Sequence, residues 1–129
     1  MSLPGRLKQT VLVVDDTDDV RELMAVQLRL SGYDVIEAKD GREAVELARR
    51  SCPALILMDI QMPVMDGFEA TRAIRAVKEL CRVVIVAFSA RTSGNNRQRA
   101  LEAGCNGYVS KNDGIHQLPG IVRSYLSAG

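Results

Sequence analysis

A five-stranded parallel sheet with helices on both faces, strand order 2-1-3-4-5, is the fold this sequence predicts. Three observations lead there. Short apolar runs alternate with segments whose apolar residues recur at three-to-four spacing. The runs are rich in β-branched residues and apolar at consecutive positions, as strands buried on both faces are. The connections between segments are short, which favours right-handed crossovers within one sheet.

The first strand reads Val11-Leu12-Val13-Val14 and stops at Asp15-Asp16. Asp18-Asp19 then precede a helix carrying Val20, Leu23, Met24, Ala25 and Leu28, with Gly32 as its stop. Tyr33 to Ala38 is the second strand, and Asp40-Gly41 opens a helix that Cys52-Pro53 ends. Leu55 to Met58 forms the third strand, stopping at Asp59, and Asp66-Gly67 starts a helix through Phe68, Ala70, Ile74 and Val77. The fourth strand runs from Arg82 or Val83 to Ser89. A polar stretch, Arg91 to Gln98, leads into a helix with Ala100, Leu101 and Ala103, stopped by Gly104. The fifth strand covers about Gly107 to Val109 and runs through Ser110 into Lys111. Proline is tolerated only in a helix's first turn, so Pro119 predicts a loose turn near Asp113 and a regular helix from Leu118 or Pro119 to Tyr125 or Leu126.

Composition narrows the function classes. The 129 residues suffice for one domain with a real core, and a net charge of +1 provides no field for nucleic acid or an anionic membrane. No apolar run approaches the roughly 20 residues that cross a bilayer. Cys52, Cys81 and Cys105 are odd in number and widely spaced, which suggests reduced thiols in a cytoplasmic domain. Residues 1–9 read as an N-terminal extension, with Met1-Ser2-Leu3 resembling an expression leader, and 10–127 as the domain.

The strand ends carry the chemistry. In an open parallel sheet, ligands bind beyond the carboxyl ends of the strands, at the point where strand order reverses. That places Asp15, Asp16 and Asp59 side by side, with Ser89 and Lys111 on the same edge. Two carboxylates about 4 Å apart repel by roughly 4 kcal/mol at an effective dielectric of 20. Such a cluster takes up a cation or protons. Mg²⁺ suits a few carboxylate oxygens and keeps exchangeable waters, and Mn²⁺ can stand in for it. A carboxylate can attack phosphorus to give an acyl phosphate. Any one of these residues alone is more simply a cap or a solvated side chain; four strands ending on compatible groups shift the balance.

The blocks Val13-Val14-Asp15-Asp16, Leu57-Met58-Asp59-Ile60-Gln61-Met62-Pro63-Val64-Met65-Asp66-Gly67, Phe88-Ser89-Ala90 and Ala103-Gly104-Cys105-Asn106-Gly107-Tyr108-Val109-Ser110-Lys111 resemble the receiver domain of two-component response regulators. The likeness, of the chemotaxis-regulator type, spans about residues 10–127. It implies a (βα)5 flavodoxin-like fold and a phosphorelay role. Asp59 corresponds to the phosphoacceptor that takes a phosphoryl group from a phosphohistidine on a histidine kinase or histidine phosphotransfer domain. Asp15, Asp16, Asp59 and the Gln61 backbone carbonyl correspond to the Mg²⁺ ligands, Lys111 to the lysine that pairs with the phosphoryl group, and Ser89 and Tyr108 to the switch pair. The output would be a shift in the face made by the fourth helix, fifth strand and fifth, last helix. The resemblance implies no free-standing enzyme, no nucleic-acid binding and no membrane insertion.

Two departures stand out. Asn112 occupies the position where the family usually has proline after the lysine, and a cis bond before a non-proline residue costs roughly 2.5–4 kcal/mol. A trans Lys111–Asn112 bond is therefore expected. Pro119-Gly120 in the last helical region weakens the case for the family's common mode of dimerisation through that face. Gln61 and Arg91 fall at positions that tune acyl-phosphate lifetime. His116, the single histidine, reads as exposed and without catalytic work, and Met58, Met62 and Met65 as packing residues. Arg91, Arg97 and Arg99 read as solvated surface on a basic fourth helix.

Two other functions compete. A Mg²⁺-dependent phosphohydrolase of the haloacid-dehalogenase type also uses an aspartyl nucleophile, but it needs a second acid two residues later, where Gln61 stands. A receiver with a decayed, phosphate-independent site would not keep all five polar groups. The Asp59 to Arg75 wording most resembles receivers attached to hybrid sensor histidine kinases, which favours a piece of a larger protein over a stand-alone regulator.

Overall fold

The computed structural model describes residues 9–62, 64–80, 82–90 and 95–127. Its elements are β1 (Thr10–Val14), α1 (Asp18–Leu30), β2 (Asp34–Ala38), α2 (Gly41–Ser51), β3 (Leu55–Met58), α3 (Gly67–Arg75), a 3₁₀ turn (Lys78–Leu80), β4 (Val84–Ser89), α4 (Asn96–Ala103), β5 (Gly107–Ser110), α5 (Lys111–Gly114) and α6 (Leu118–Ser127). The five strands are all parallel, in the order β2-β1-β3-β4-β5. The predicted fold is the observed one.

The apolar runs are continuous because alternate residues feed two cores. Leu12, Val14, Ile56, Met58, Ile85, Ala87 and Tyr108 pack with Ala44, Phe68, Ile74 and Ala100 of α2, α3 and α4. Val11, Val13, Leu55, Leu57, Val86 and Phe88 pack with Met24 and Leu28 of α1 and Leu118 and Val122 of α6. In the interior of β1, β3 and β4 neither face meets water, so no polar residue interrupts the pattern, whereas the half-exposed edge strand β2 carries Asp34 and Glu37. Leu12, Ile56 and Phe88 are fully buried, each contributing roughly 1.5–3 kcal/mol.

The helix ends follow local chemistry. Asp40 and Asp66 cap α2 and α3, their carboxylates accepting from the Glu43 and Glu69 amides at 2.8 and 2.9 Å. Pro53 keeps Cys52 out of the right-handed helical region, and Cys52 ends α2 at φ 46°. Asp18 and Asp19 lie inside the first turn of α1, and Thr17 holds the capping position. There they favour the helix through its dipole.

α3 is shorter than predicted. It ends at Arg75, and Val77 falls in the turn leading to the 3₁₀ segment, because Leu80 is drawn into the core and the Arg75 guanidinium takes the Leu80 carbonyl at 3.4 Å. The one-turn α5 occupies the loose region near Asp113 and is followed by α6, close to the expected limits. No cis peptide occurs among the described residues, so Lys111–Asn112 is trans, as expected. Met58 is buried, Met62 and Met65 pack against the core, and His116 is exposed. Arg91, Pro63, Cys81 and residues 1–8 lie outside the described residues.

Val64 is exposed with φ 71°, a backbone conformation that a β-branched side chain tolerates poorly. Such strain costs about 1–3 kcal/mol, partly offset in a glycine variant by the entropy of the unfolded chain. Val64→Gly is expected to raise the thermal midpoint by roughly 3–5 °C. An unchanged or lower midpoint in calorimetry contradicts the strain.

Candidate functional site

The site is assembled by strand register. Val14 lies beside Met58, and Met58 beside Ala87, so Asp15 and Asp59 leave adjacent strands at the same level. The Asp59 amide donates to the Val14 carbonyl at 3.0 Å and the Asp15 amide to the Ala38 carbonyl at 3.1 Å, extending the ladder by one step beneath both carboxylates. Gly67 lies against this strand end. A Cβ there would run into the Asp59 carbonyl and come within 2.6 Å of the Ile60 Cα, so the close approach of α3 requires glycine.

Asp15, Asp16 and Asp59 come together, each offering a carboxylate oxygen within 4.8 Å of the others. Asp15 and Asp59 are buried and Asp16 is exposed. Lys111, the first residue of α5, reaches across from β5. Its Nζ lies 2.5 Å from Asp15 Oδ2 and 3.5 Å from Asp59 Oδ2. The Thr17 amide donates to Asp15 Oδ1 at 2.9 Å, and the Gln61 amide to Asp59 Oδ1 at 3.2 Å. Burial raises the Asp59 carboxyl to about 6; Lys111 and the Gln61 amide oppose this, while the charges of Asp15 and Asp16 add to it. An acid so destabilised as an anion is suited to a neighbouring cation. Two buried carboxylates and one exposed carboxylate, all oxygen donors, fit a hard divalent ion with an open outer side.

Ser89 ends β4 fully buried, in register with Ser110, the residue before Lys111. Tyr108 is buried in β5, its ring beneath the Arg97 guanidinium at 5.8 Å. Arg97 and Arg99 are more than solvated surface. Both are exposed, yet each lies over an aromatic ring, Arg99 at 4.4 Å from the Phe68 centroid.

Arg21 was not among the predicted site residues. Its guanidinium donates to the Asp15 carbonyl at 2.9 Å and pairs with Asp18 and Glu37, holding the turn that presents Asp15 and Asp16. Only its one-turn spacing after Asp18 could have signalled this, and that spacing is common on helix surfaces.

An acid cluster at the reversal point of a doubly wound sheet, with a lysine across it, defines a receiver module. A family model described as response regulator receiver domain matches residues 11–123. The chain belongs to that family. It is 32% identical over 120 residues to the polar-differentiation response regulator DivK of Brucella ovis, covering 93% of this chain and 98% of that protein. Among solved structures it resembles the chemotaxis protein CheY4 of Vibrio cholerae, with 30% identity, a TM-score of 0.86 and coverage of 92% of this chain and 98% of that one. It also resembles the receiver domain of the sensor histidine kinase PA1611 from Pseudomonas aeruginosa, with 36% identity, a TM-score of 0.85 and coverage of 94% and 99%. That structure holds a magnesium ion in its active-site cleft. The chain is thus a receiver domain of two-component signalling, a phosphorelay component that works with histidine kinases or phosphotransfer proteins. Nothing supports the phosphohydrolase alternative. No described helix is long and apolar enough to cross a membrane.

Proposed function

We propose that Asp59 is the phosphoacceptor and that Asp15, Asp16, Asp59 and the Gln61 carbonyl hold Mg²⁺, with Mn²⁺ able to replace it. The observation that carries this reading is the position of the Asp59 carboxylate, within 3.5 Å of Lys111 Nζ and clustered with the Asp15 and Asp16 oxygens. Bound there, the ion would offset charge on the transferring phosphoryl oxygens. Lys111 pairs with those oxygens from the other side, releasing part of its hold on Asp15. The Gln61 amide keeps Asp59 oriented. Ser89 supplies a hydroxyl to the phosphoryl group, and Tyr108 follows it, changing the face formed by α4, β5 and α6. These residues catalyse the domain's own phosphorylation and dephosphorylation. The donor is a phosphohistidine on a histidine kinase or phosphotransfer domain, and the setting is cytoplasmic.

Incubation with acetyl phosphate and Mg²⁺, followed by intact mass spectrometry, tests the assignment. A gain of one phosphoryl group is expected in the wild type and none in Asp59→Asn. Labelling that persists in the variant, or repeated turnover of phosphate esters, refutes it. Calorimetric Mg²⁺ titration checks the metal ligands separately. Asp16→Asn is expected to weaken binding at least tenfold; unchanged affinity removes Asp16 from the set.

A further inference from the structure

Leu23, Val26, Leu30 and Val64 are large apolar side chains left exposed, and they fall on two surfaces. Leu23, Val26 and Leu30 lie on α1 at intervals of three and four residues, so they form one row along its outer side. Asp19 and Glu22 continue that row toward the start of the helix. Both are exposed, and among the described residues neither makes an ion pair. Single exposed apolar residues are ordinary, but a contiguous row marks a contact surface.

Val64 belongs to the second surface. It precedes Met65, which lines a recess of about 650 Å³ together with Arg42, Val45, Glu46, Arg49 and Arg50 of α2. A Cβ at Gly41 would run into the Met65 carbonyl, so the loop carrying Val64 and Met65 sits directly on the start of α2. Val45 and Met65 make the recess partly apolar. Glu46 pairs with Arg50, whereas Arg42 and Arg49 make no ion pair among the described residues.

The two surfaces are complementary. One offers an apolar row ending in two unpaired carboxylates, the other apolar side chains bordered by two unpaired guanidiniums. Leu23 to Leu30 and Arg42 to Arg49 each advance seven residues, about 10.5 Å of helix. α1 covers the core of Val11 and Val13, and α2 the core of Leu12 and Val14, so the surfaces lie on opposite faces of the sheet. They cannot meet within one molecule.

We propose that the α1 row of one copy of this chain docks in the α2 recess of the next, joining copies head to tail. Leu23, Val26 and Leu30 bury against Val45, Val64 and Met65, while Asp19 and Glu22 face Arg42 and Arg49. The apolar contact supplies the affinity, and the carboxylate–guanidinium pairs fix its direction. Because the two surfaces differ, the contact does not close as a twofold dimer, and each added copy leaves one surface of each kind free.

Sedimentation velocity of the full chain from about 10 μM to about 1 mM tests this, a range that detects even millimolar dissociation constants. The wild type is expected to sediment faster as concentration rises and to pass beyond the dimer. Leu23→Lys with Leu30→Lys disables the row, and Arg42→Glu with Arg49→Glu disables the recess. All four side chains are exposed, so both cores stay intact. Each double variant is expected to remain monomeric. Mixed in equal amounts, the two variants retain one working surface apiece, and the mixture is expected to stop at a dimer. A wild type that stays monomeric or stops at a dimer overturns the head-to-tail contact. So does a double variant that assembles like the wild type, or a mixture that forms no dimer.

Discussion

Asp59→Asn is expected to make the metal-free domain more stable at neutral pH while abolishing its phosphorylation. The folded-state carboxyl titrates at about 6, and an unfolded aspartate near 3.9. Between those values the native state binds more protons than the unfolded state, so stability falls as pH rises through the window from about 4 to 6. Below pH 4 both states are protonated and the penalty vanishes. Above pH 6 it is complete. A gap of about two pH units corresponds to roughly 2–3 kcal/mol, an upper range because solvent reaches the open side of the site. Urea denaturation in a chelator should show the variant gaining on the wild type between pH 4 and 6.5 and holding a lead of about 2 kcal/mol above it. Mg²⁺ at a hundredfold excess over its Kd returns about 2.7 kcal/mol to the wild type and closes the gap. Parallel stability curves for the two proteins across pH would show that burial does not strain the Asp59 anion.

Arg75→Ala is expected to cost about 3 kcal/mol and to lower the thermal midpoint by roughly 10 °C. This guanidinium ties the end of α3 to two other segments, the stretch from Leu80 to Val83 that enters β4 and the α4–β5 turn. Nε donates to the Gly104 carbonyl at 2.9 Å, NH1 to the Val83 carbonyl at 2.5 Å and the Leu80 carbonyl at 3.4 Å, and NH2 to Asn106 Oδ1 at 2.8 Å. The same Asn106 oxygen accepts from the Ile85 amide at 2.8 Å. Truncation leaves these carbonyls without their charged donor and loosens the joints at the end of α3, the start of β4 and the α4–β5 turn. Arg75→Lys should recover little, since a single ammonium cannot span the fork. The residue lies at the far end of the sheet from the acids, so Asp59 should still be labelled in the folded fraction. A midpoint shift under 3 °C would argue that water replaces the fork without loss.

The fold was legible because the central strands β1, β3 and β4 are buried on both sides and the long helices on one. Burial of that kind writes consecutive apolar residues for strands and three-to-four spacing for helices. Glycine, proline and aspartate then mark the joints through local backbone chemistry, as at Asp40, Asp66 and Pro53. The convergence of Asp15, Asp16, Asp59 and Lys111 followed from topology alone, since parallel strands send their carboxyl ends to one edge. The boundary at Arg75 was not legible. The end of α3 is set by a side chain's bonds to carbonyls up to 29 residues away, and no local signal encodes those.

By itself the sequence determined which groups share the functional edge and what charge they carry, because period, topology and residue type are local quantities. Only the tertiary structure decided how deeply Asp59 is buried, and hence its raised affinity for a proton. It also placed Arg99 over the Phe68 ring and Arg21 on the Asp15 carbonyl. Desolvation and contacts of this sort depend on elements folded against one another across many residues of chain, and no stretch of sequence contains them.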